Sequence, residues 1–271
     1  MNWRGLLVSV RDAAEAAEAI AGGAAIIDVK EPRHGSLGPA DPETIAAVAS
    51  MVGTQRSWTM ACGELGGAPE PRHGASQGTG LEPAAEAICG HLQRVRSLLG
   101  ADAVPPAAVK IGLAGAAGTD WQRRLRTTFE SLPVGSERVA VAYADWQRAG
   151  APSPPEVIAA AFGLGCSTLL IDTYDKSAGG LFSCCPPGIP AAWVAAARDA
   201  GLQVALAGRI ALTEIAAAWA LSPDVVALRS AVCFNGRAGA VQAGLVRRAV
   251  LSDARCAGPD GASSSLTTPT L

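Results

Sequence analysis

Three lysines stand out among the residues that could do chemistry, because the chain otherwise uses arginine for its positive charges. Of the 22 basic residues only Lys30, Lys110 and Lys176 are lysine, so the other 19 are arginine. A guanidinium stays protonated at ordinary pH, whereas an amine can lose its proton, attack a carbonyl or carry a proton. These three side chains are therefore the candidates for amine chemistry.

Carboxylates accompany two of the lysines. Asp28 precedes Lys30 by two positions, which on a strand places both side chains on one face, and Asp172 ends another apolar run just before Lys176. One such pair alone is most simply a buried ion pair. Several amines and carboxylates in one site of low dielectric shift one another's pKa, and a neighbouring ammonium lowers a lysine pKa from about 10.4 towards neutrality. The cluster therefore favours a Schiff-base lysine and a carbonyl substrate.

Eight strand-and-helix units must position these side chains. The strands are continuous apolar runs, typical of parallel strands buried on both faces. They are predicted at 5–10, 24–29, 57–62, 107–112, 138–143, 168–172, 203–207 and 224–228. Eight β/α units in about 250 residues predict a TIM (β/α)8 barrel of the α/β class. The alternative is a doubly wound open sheet, but the turn at 9–12 after the first strand lacks the glycine fingerprint of a dinucleotide site.

In a barrel of this kind the three lysines belong to even-numbered units and lie at or near strand ends. Alternate strands contribute side chains to the same interior layer, and catalytic residues project from the C-terminal strand ends. We therefore expect Lys30, Lys110 and Lys176 to converge on one site, together with Asp28 and Asp172.

A phosphate site is expected after the last two strands, where barrels often bind phosphate with backbone N–H groups. The candidates after strand seven are Gly208 and Arg209, and those after strand eight are Arg229, Ser230 and Ala231. Position alone makes this a weak signal, since a glycine at a strand end is as often part of a turn. It nevertheless predicts a phosphorylated small molecule as the substrate.

Composition excludes several function classes. The net charge of −2 gives no basic field for nucleic acid. No apolar stretch is long enough to span a membrane, and the N-terminus has no leader pattern, so we expect a cytoplasmic protein without membrane contact. Three histidines without ligand spacing and seven cysteines without paired spacing indicate neither a metal site nor a disulfide framework.

The pattern predicts one catalytic domain over 1–252 and a disordered tail over 253–271, which has no periodicity. A Gly- and Pro-rich loop over 63–80 would follow the third strand, as a cover over the site. The alanine-rich outer helices would pack well against a second copy, so the sequence allows a homo-oligomer.

The chain closely resembles the (5-formylfuran-3-yl)methyl phosphate synthase family, also called 4-(hydroxymethyl)-2-furancarboxaldehyde-phosphate synthase, up to about residue 250. The most specific segment is the Asp-Val-Lys-x-Pro-x-x-Gly-Ser-Leu-Gly pattern within residues 22–38. Shorter segments of resemblance are Leu-Leu-Val-Ser at 6–9, Lys-Ile-Gly-Leu at 110–113, Tyr-Ala-Asp at 143–145, Asp-Thr-Tyr-Asp-Lys at 172–176, Leu-Ala-Gly-Arg-Ile at 206–210 and Arg-Ser-Ala-Val-Cys at 229–233.

The resemblance implies a TIM-barrel lyase that condenses two molecules of glyceraldehyde 3-phosphate to a phosphorylated furan aldehyde, a precursor of methanofuran-type one-carbon carriers. It implies no metal and no organic cofactor. Lys30 would be the Schiff-base lysine and Lys176 the general acid and base. Asp28, Lys110 and Asp172 would be the supporting charged set.

Two other functions remain open at this stage, and one departure from the family pattern bears on phosphate binding. The chain could be another class I aldolase for a phosphorylated aldehyde, or a non-catalytic phosphosugar-binding barrel whose lysines serve only as counter-charges. The family pattern has Arg-Gly-Ala after strand eight, where this chain has Arg229-Ser230-Ala231. The added side chain at 230 bears on how closely the backbone can approach a phosphate.

Overall fold

The eight predicted strands form a closed parallel barrel in the computed structural model, which describes residues 4–66, 82–100, 103–186 and 188–252. The strands are β1 (Gly5–Val10), β2 (Ile26–Val29), β3 (Ser57–Glu64), β4 (Ala108–Gly112), β5 (Glu137–Tyr143), β6 (Thr168–Asp172), β7 (Gln203–Leu206) and β8 (Val225–Leu228). Because β1 pairs with β8 as well as with β2, the sheet has no edge. The TIM-barrel prediction is confirmed and the open sheet is excluded.

Helices surround the barrel and bury their apolar sides against it. They are α1 (Ala13–Ala21), α2 (Pro42–Val52), α3 (Glu82–Leu99), α4 (Trp121–Phe129), α5 (Trp146–Ala149), α6 (Pro154–Ala161), α7 (Leu181–Cys184), α8 (Gly188–Asp199), α9 (Ile215–Ala220) and α10 (Ala243–Leu251). Short 3-10 turns at Pro32–His34, Leu212–Glu214 and Ser230–Val232 lie in the connections. The alanines of these helices allow close packing on strands that are themselves buried on both faces.

The strand register aligns polar side chains inside the barrel. Ser9 on β1 pairs with Asp28 on β2, and Asp28 pairs with Thr59 on β3. Lys110 on β4 pairs with Ala61, two residues beyond Thr59 and therefore on the same face of β3. Register thus brings four polar side chains from four neighbouring strands into one interior layer.

The third strand extends further than the sequence predicts. It continues to Glu64, two residues into the predicted loop, with a register shift against β4 between Ala61 and Glu64. The irregular pairing places Glu64 at the mouth of the barrel. Residues 67–81 of the predicted cover loop and the predicted tail at 253–271 lie outside the described residues. Among the described helices, none is both long and apolar enough to cross a membrane.

Candidate active site

A network of hydrogen bonds joins Asp28 and Lys110 inside the barrel. Lys110 donates to one oxygen of Asp28 and, at 3.0 Å, to the hydroxyl of Thr59. Thr59 and Ser9 each donate to Asp28 at 2.9 Å, one to each carboxylate oxygen. Burial alone would raise the pKa of Asp28, but the nearby Lys110 and Lys30 ammonium groups hold that pKa below its usual value. Asp28 is therefore an ionised carboxylate with both oxygens occupied.

Lys30 lies immediately after β2 and is 7% exposed. Its amine makes no hydrogen bond to any residue in the described part of the chain. Burial lowers the pKa of Lys30 to about 8, although the carboxylates of Asp172 and Asp28 oppose the shift. The charge of Lys176 lowers it further. With a pKa of about 8, about a tenth of Lys30 is neutral at pH 7, and no hydrogen bond within the described residues restrains its amine.

Asp172 and Lys176 form the second charged pair. Lys176 donates to Asp172 at 2.6 Å and also bonds the backbone carbonyl of Thr173. Ser36 donates to the other oxygen of Asp172 at 3.2 Å, which links the β6 strand end to the loop after β2. Burial would raise the pKa of Asp172, but the cations of Lys176 and Lys30 keep it low. Burial lowers the pKa of Lys176, with Asp172 opposing the shift.

Two small cavities lie within the barrel and at its C-terminal end, and Ser9, Lys30 and Asp172 are in the walls of both. The cavity among the strands is lined by Asp28, Lys30, Lys110 and Asp172 together with apolar residues. The other, here called the inner cavity, is lined by Ser9, Lys30, Asp172, Lys176, Ala207, Gly208, Arg209, Ile210, Ala227, Leu228, Arg229, Ser230 and Arg237. Four of the five predicted phosphate-site residues therefore face this cavity, the exception being Ala231.

The phosphate-site candidates differ in what they present to that cavity. Gly208 has φ +102°, and a Cβ there would lie 3.0 Å from the Thr173 methyl group, so glycine allows both the turn and the close approach. Ser230 begins the 3-10 turn after β8. Arg209 bonds the backbone carbonyl of Lys176. Gly208, Arg209 and Ser230 thus line the cavity with two turns and one arginine side chain.

The guanidinium of Arg229 is engaged elsewhere. It makes a two-pronged contact with the buried carboxylate of Glu15, one prong measuring 3.1 Å, and donates to the carbonyls of Ser9 and Gly239. Burial would raise the pKa of Glu15, but hydrogen bonds from Arg229 and Arg11 hold it low. This pair ties the residue after β8 to the start of α1, and Arg229 also lines the inner cavity.

Arg237, which the sequence patterns do not indicate, lines the inner cavity together with Arg229. It lies in the loop after the 3-10 turn and donates to the carbonyl of Gly35 at 3.0 Å. Burial lowers its pKa, while the carboxylate of Asp172 acts in the opposite direction. No strand pattern marks Arg237, because it lies eight residues beyond Arg229 in an irregular segment.

Asp145 holds the segment that carries Lys176. Its two carboxylate oxygens accept from the backbone N–H groups of Tyr174 at 2.6 Å and Asp175 at 2.8 Å. In the sequence, Asp145 stands out only through the resemblance carried by the Tyr-Ala-Asp motif at 143–145. A short acidic motif directly after a strand was the signal available for it.

Glu64 and Tyr143 form a hydrogen-bonded pair that the sequence patterns do not predict. Tyr143 donates to Glu64 at 2.6 Å, and the backbone N–H of Ala114 donates to its other oxygen at 3.0 Å. Burial raises the pKa of Glu64, an effect that these hydrogen bonds only partly offset. Burial also raises the pKa of Tyr143 well above its usual value. The pair braces the mouth of the barrel between β3 and β5.

Metal-ligating side chains do not gather in the described residues: no group of three or more histidines, cysteines or acidic residues could hold an ion there. In the described residues the site consists of two lysine–aspartate pairs, a third lysine near both, and a cavity lined by Arg209, Arg229 and Arg237. Fold and site together define the chain as a TIM-barrel protein with a buried amine at the C-terminal end, the side that carries the active sites of such enzymes.

Comparison with known proteins identifies the family. The model of the 4-HFC-P synthase family matches residues 6–250, so the chain belongs to this family. A protein of Archaeoglobus fulgidus named (5-formylfuran-3-yl)methyl phosphate synthase is 32% identical over 251 residues, covering 89% of this chain and 95% of its own length. One of the same name from Methanocaldococcus jannaschii is 32% identical over 235 residues, covering 85% and 91%. Since these relatives are named as synthases, the chain is an enzyme.

Solved structures agree on the architecture. A 3-hexulose-6-phosphate synthase from Salmonella typhimurium superposes with a TM-score of 0.57 at 15% identity, covering 92% of this chain and 98% of that one. A phosphoribosyl anthranilate isomerase from Thermus thermophilus gives 0.54 at 16% identity, with the same coverage. At these identities the similarity establishes the fold alone.

Proposed function

We propose that this enzyme condenses two molecules of glyceraldehyde 3-phosphate to (5-formylfuran-3-yl)methyl phosphate, as a cytoplasmic step towards a methanofuran-type carrier. The family and the names of the relatives support the product. Atom balance requires that one inorganic phosphate and two water molecules leave for each furan formed. The reaction therefore needs a nucleophile for a carbonyl, proton donors for the eliminations and binding groups for phosphate.

Lys30 is proposed as the nucleophile. Its neutral amine attacks the carbonyl carbon of one triose phosphate, and loss of water leaves an imine on Nζ. The imine nitrogen withdraws electrons, so the neighbouring carbon can lose a proton and attack the aldehyde carbon of the second triose phosphate. The pKa of about 8 and the absence of a hydrogen-bond partner in the described residues support this role.

Lys176 is proposed as the general acid and base. It lines the same cavity as Lys30 and is held by Asp172 at 2.6 Å, so its ammonium can protonate a leaving hydroxyl or phosphate and recover the proton from a carbon acid. Asp28 and Lys110 act as a fixed charged pair beneath the amine. Gly208, Arg209, Ser230 and the backbone at Arg229 and Ala231 are proposed to bind phosphate, with Arg237 added to that set.

The observation that carries the proposal is the contrast among the three amines. Lys110 and Lys176 each bond a carboxylate, whereas Lys30 is buried between the two pairs and has no such bond within the described chain. A cluster of phosphate counter-charges would not need a buried amine without a partner. An amine nucleophile does need one, because hydrogen bonds to a carboxylate would keep it protonated.

Borohydride trapping tests the imine. Wild-type enzyme is reduced in the presence of glyceraldehyde 3-phosphate and its intact mass is measured, beside Lys30→Arg and Lys176→Gln. We expect a reduced adduct on the wild type and on Lys176→Gln, none on Lys30→Arg, and near-ultraviolet furan absorbance from the wild type only. The absence of a wild-type adduct under turnover conditions overturns the imine mechanism at Lys30. An adduct whose product lacks furan absorbance indicates another class I aldolase.

A further inference from the structure

A second cavity opens beside the first, at the mouth of the barrel. It is formed by the loop after β2 and the loop after β6, and we call it the outer cavity. Its walls are Pro32, Arg33, Gly35, Ser36, Arg148, Tyr174, Asp175, Lys176 and Arg237. Three arginines and one lysine thus line this cavity, against the single carboxylate of Asp175. This charge balance favours an anionic ligand.

The outer cavity lies beside the inner cavity, and the two have two lining residues in common. Lys176 and Arg237 line both spaces. A ligand in the inner cavity reaches Lys30, and a ligand in the outer cavity meets the proposed acid and base from the other side. Lys176, the proposed acid and base, therefore lies between two cavities that could each hold one substrate.

Two arginines of the outer cavity, Arg33 and Arg148, have hydrogen-bond donors available for a ligand. In the described residues, the guanidinium of Arg33 has neither a hydrogen bond nor an ion pair, and it is exposed beside the cavity. Arg148 donates to Asp175 at 3.3 Å from one nitrogen, which holds it over the space and leaves other donors unused. An arginine fork binds phosphate through parallel charge-assisted hydrogen bonds, so two partly free forks around one cavity are suited to a phosphate group.

The loop carrying Arg33 is also coupled to the catalytic groups. Ser36, three residues later, donates to Asp172 and to the carbonyl of Thr173 at 3.0 Å. Arg237 reaches back to the carbonyl of Gly35 on the same loop. An anion that binds Arg33 therefore lies on a segment fixed to the β6 strand end, at a defined place relative to Lys176.

We propose that the outer cavity binds the phosphate of the second triose phosphate, with Arg33 and Arg148 as its specific ligands. The inference rests on the proposed function, because it assigns a subsite to the second substrate of that reaction. The inner cavity then holds the triose that forms the imine on Lys30. The second triose is held by its phosphate while its carbonyl carbon is directed towards Lys176 and the imine.

The test separates the two substrates kinetically. The Arg33→Ala/Arg148→Ala variant, with Arg248→Ala on the exposed side of α10 as the matched control, is assayed for furan formation and for borohydride-trapped imine across triose phosphate concentrations. Loss of two charge-assisted contacts should raise the half-saturating concentration for furan formation by about tenfold or more, while imine trapping stays within about twofold of wild type. The Arg33→Lys/Arg148→Lys variant should recover part of the loss, since charge is kept without the planar fork.

Three results contradict the assignment in different ways. Furan formation equal to that of Arg248→Ala, with a wild type that forms both imine and furan, overturns the outer subsite and leaves the proposed function intact. Imine trapping that falls in parallel with furan formation shows that the arginines serve the first triose, so the assignment to the second is wrong. A wild type that forms neither imine nor furan overturns the proposed function and this inference together.

Discussion

Lys110 lies against Asp28 inside the barrel and shares its ammonium between that carboxylate and the hydroxyl of Thr59. Only 4% of Lys110 and 2% of Asp28 are exposed to solvent. Because Ser9 and Thr59 occupy the remaining positions on the carboxylate, Asp28 has little capacity left to bond the amine of Lys30. Asp28 thus places a negative charge near Lys30 without accepting a hydrogen bond from the Lys30 amine.

The first prediction concerns that pair. Lys110→Met leaves the Asp28 charge buried without its cation, so we expect the free energy of unfolding to fall by about 3–5 kcal/mol at pH 7. The double variant Asp28→Asn/Lys110→Met removes both charges and should regain more than half of that loss. Urea unfolding followed by circular dichroism measures the wild type, Lys110→Met, Asp28→Asn and the double variant. A double variant whose loss equals the sum of the single losses would show that the two side chains do not depend on each other.

The second prediction concerns the pH dependence of imine formation. Only the neutral amine attacks a carbonyl, so the rate of trapping should rise with pH and level off above the Lys30 pKa of about 8. The carboxylate of Asp172 raises that pKa, and Asp172→Asn should therefore move the midpoint to lower pH. Asp199→Asn, an exposed residue of α8, is the control and should leave it unchanged. A midpoint that moves upward in Asp172→Asn contradicts the assignment.

The third prediction is a stability cost at Lys30. Its pKa is about 8 in the folded state against 10.5 for the free side chain, so the unfolded chain binds more protons between these values. Stability from this group therefore rises with pH across that window and is lowest below it. At pH 7, Lys30→Met should increase the free energy of unfolding by on the order of 1–3 kcal/mol. This advantage should shrink towards pH 10.5 in paired denaturation curves. A variant less stable than the wild type at pH 7 would contradict it.

The fold could be predicted because its strands are apolar throughout. A strand buried on both faces does not alternate apolar and polar residues and is instead a continuous apolar run. Such runs predict the bounds of β5 and β6 to within one residue. The positions of the site lysines and aspartates in the barrel could be predicted from the same runs, because each lies at or near the C-terminal end of one. Local pattern and tertiary position coincide at these residues.

Other site features depend on contacts that no local pattern records. The partner of Arg229 is Glu15, 214 positions away in the chain, so its guanidinium could not be assigned from its place after β8. Arg237 lies in an irregular loop, and Glu64 comes from an irregular extension of β3. Their roles follow from burial and charge in three dimensions, which periodicity does not encode.

The fourth prediction tests the turn after β7. Gly208→Ala places a methyl group 3.0 Å from Thr173 on a backbone with φ +102°, so both strain and displacement of the loop are expected. We expect half-saturation for triose phosphate to rise by about tenfold with a loss of stability of about 1–2 kcal/mol. Gly244→Ala on α10, where a Cβ would meet nothing within 4 Å, is the control for an added methyl group. Unchanged half-saturation in Gly208→Ala would argue against a phosphate at this turn.

The fifth prediction separates a structural role of the Arg229–Glu15 ion pair from phosphate binding at Arg229. The ion pair with Glu15 is buried on both sides, at 4% exposure of each side chain. Arg229→Met leaves the Glu15 carboxylate with Arg11 alone, so the free energy of unfolding should fall by about 3–5 kcal/mol. Glu15→Gln should produce a similar loss, and the double variant should lose less than the sum of the two because each single change leaves one charge unpaired. If Arg229 acts only through its ion pair with Glu15, folded Arg229→Met should keep its half-saturating triose phosphate concentration within about threefold of wild type. The assay is run well below the unfolding temperature of the variant. A rise of about 100-fold without loss of stability would instead indicate that its guanidinium turns from Glu15 to bind the phosphate.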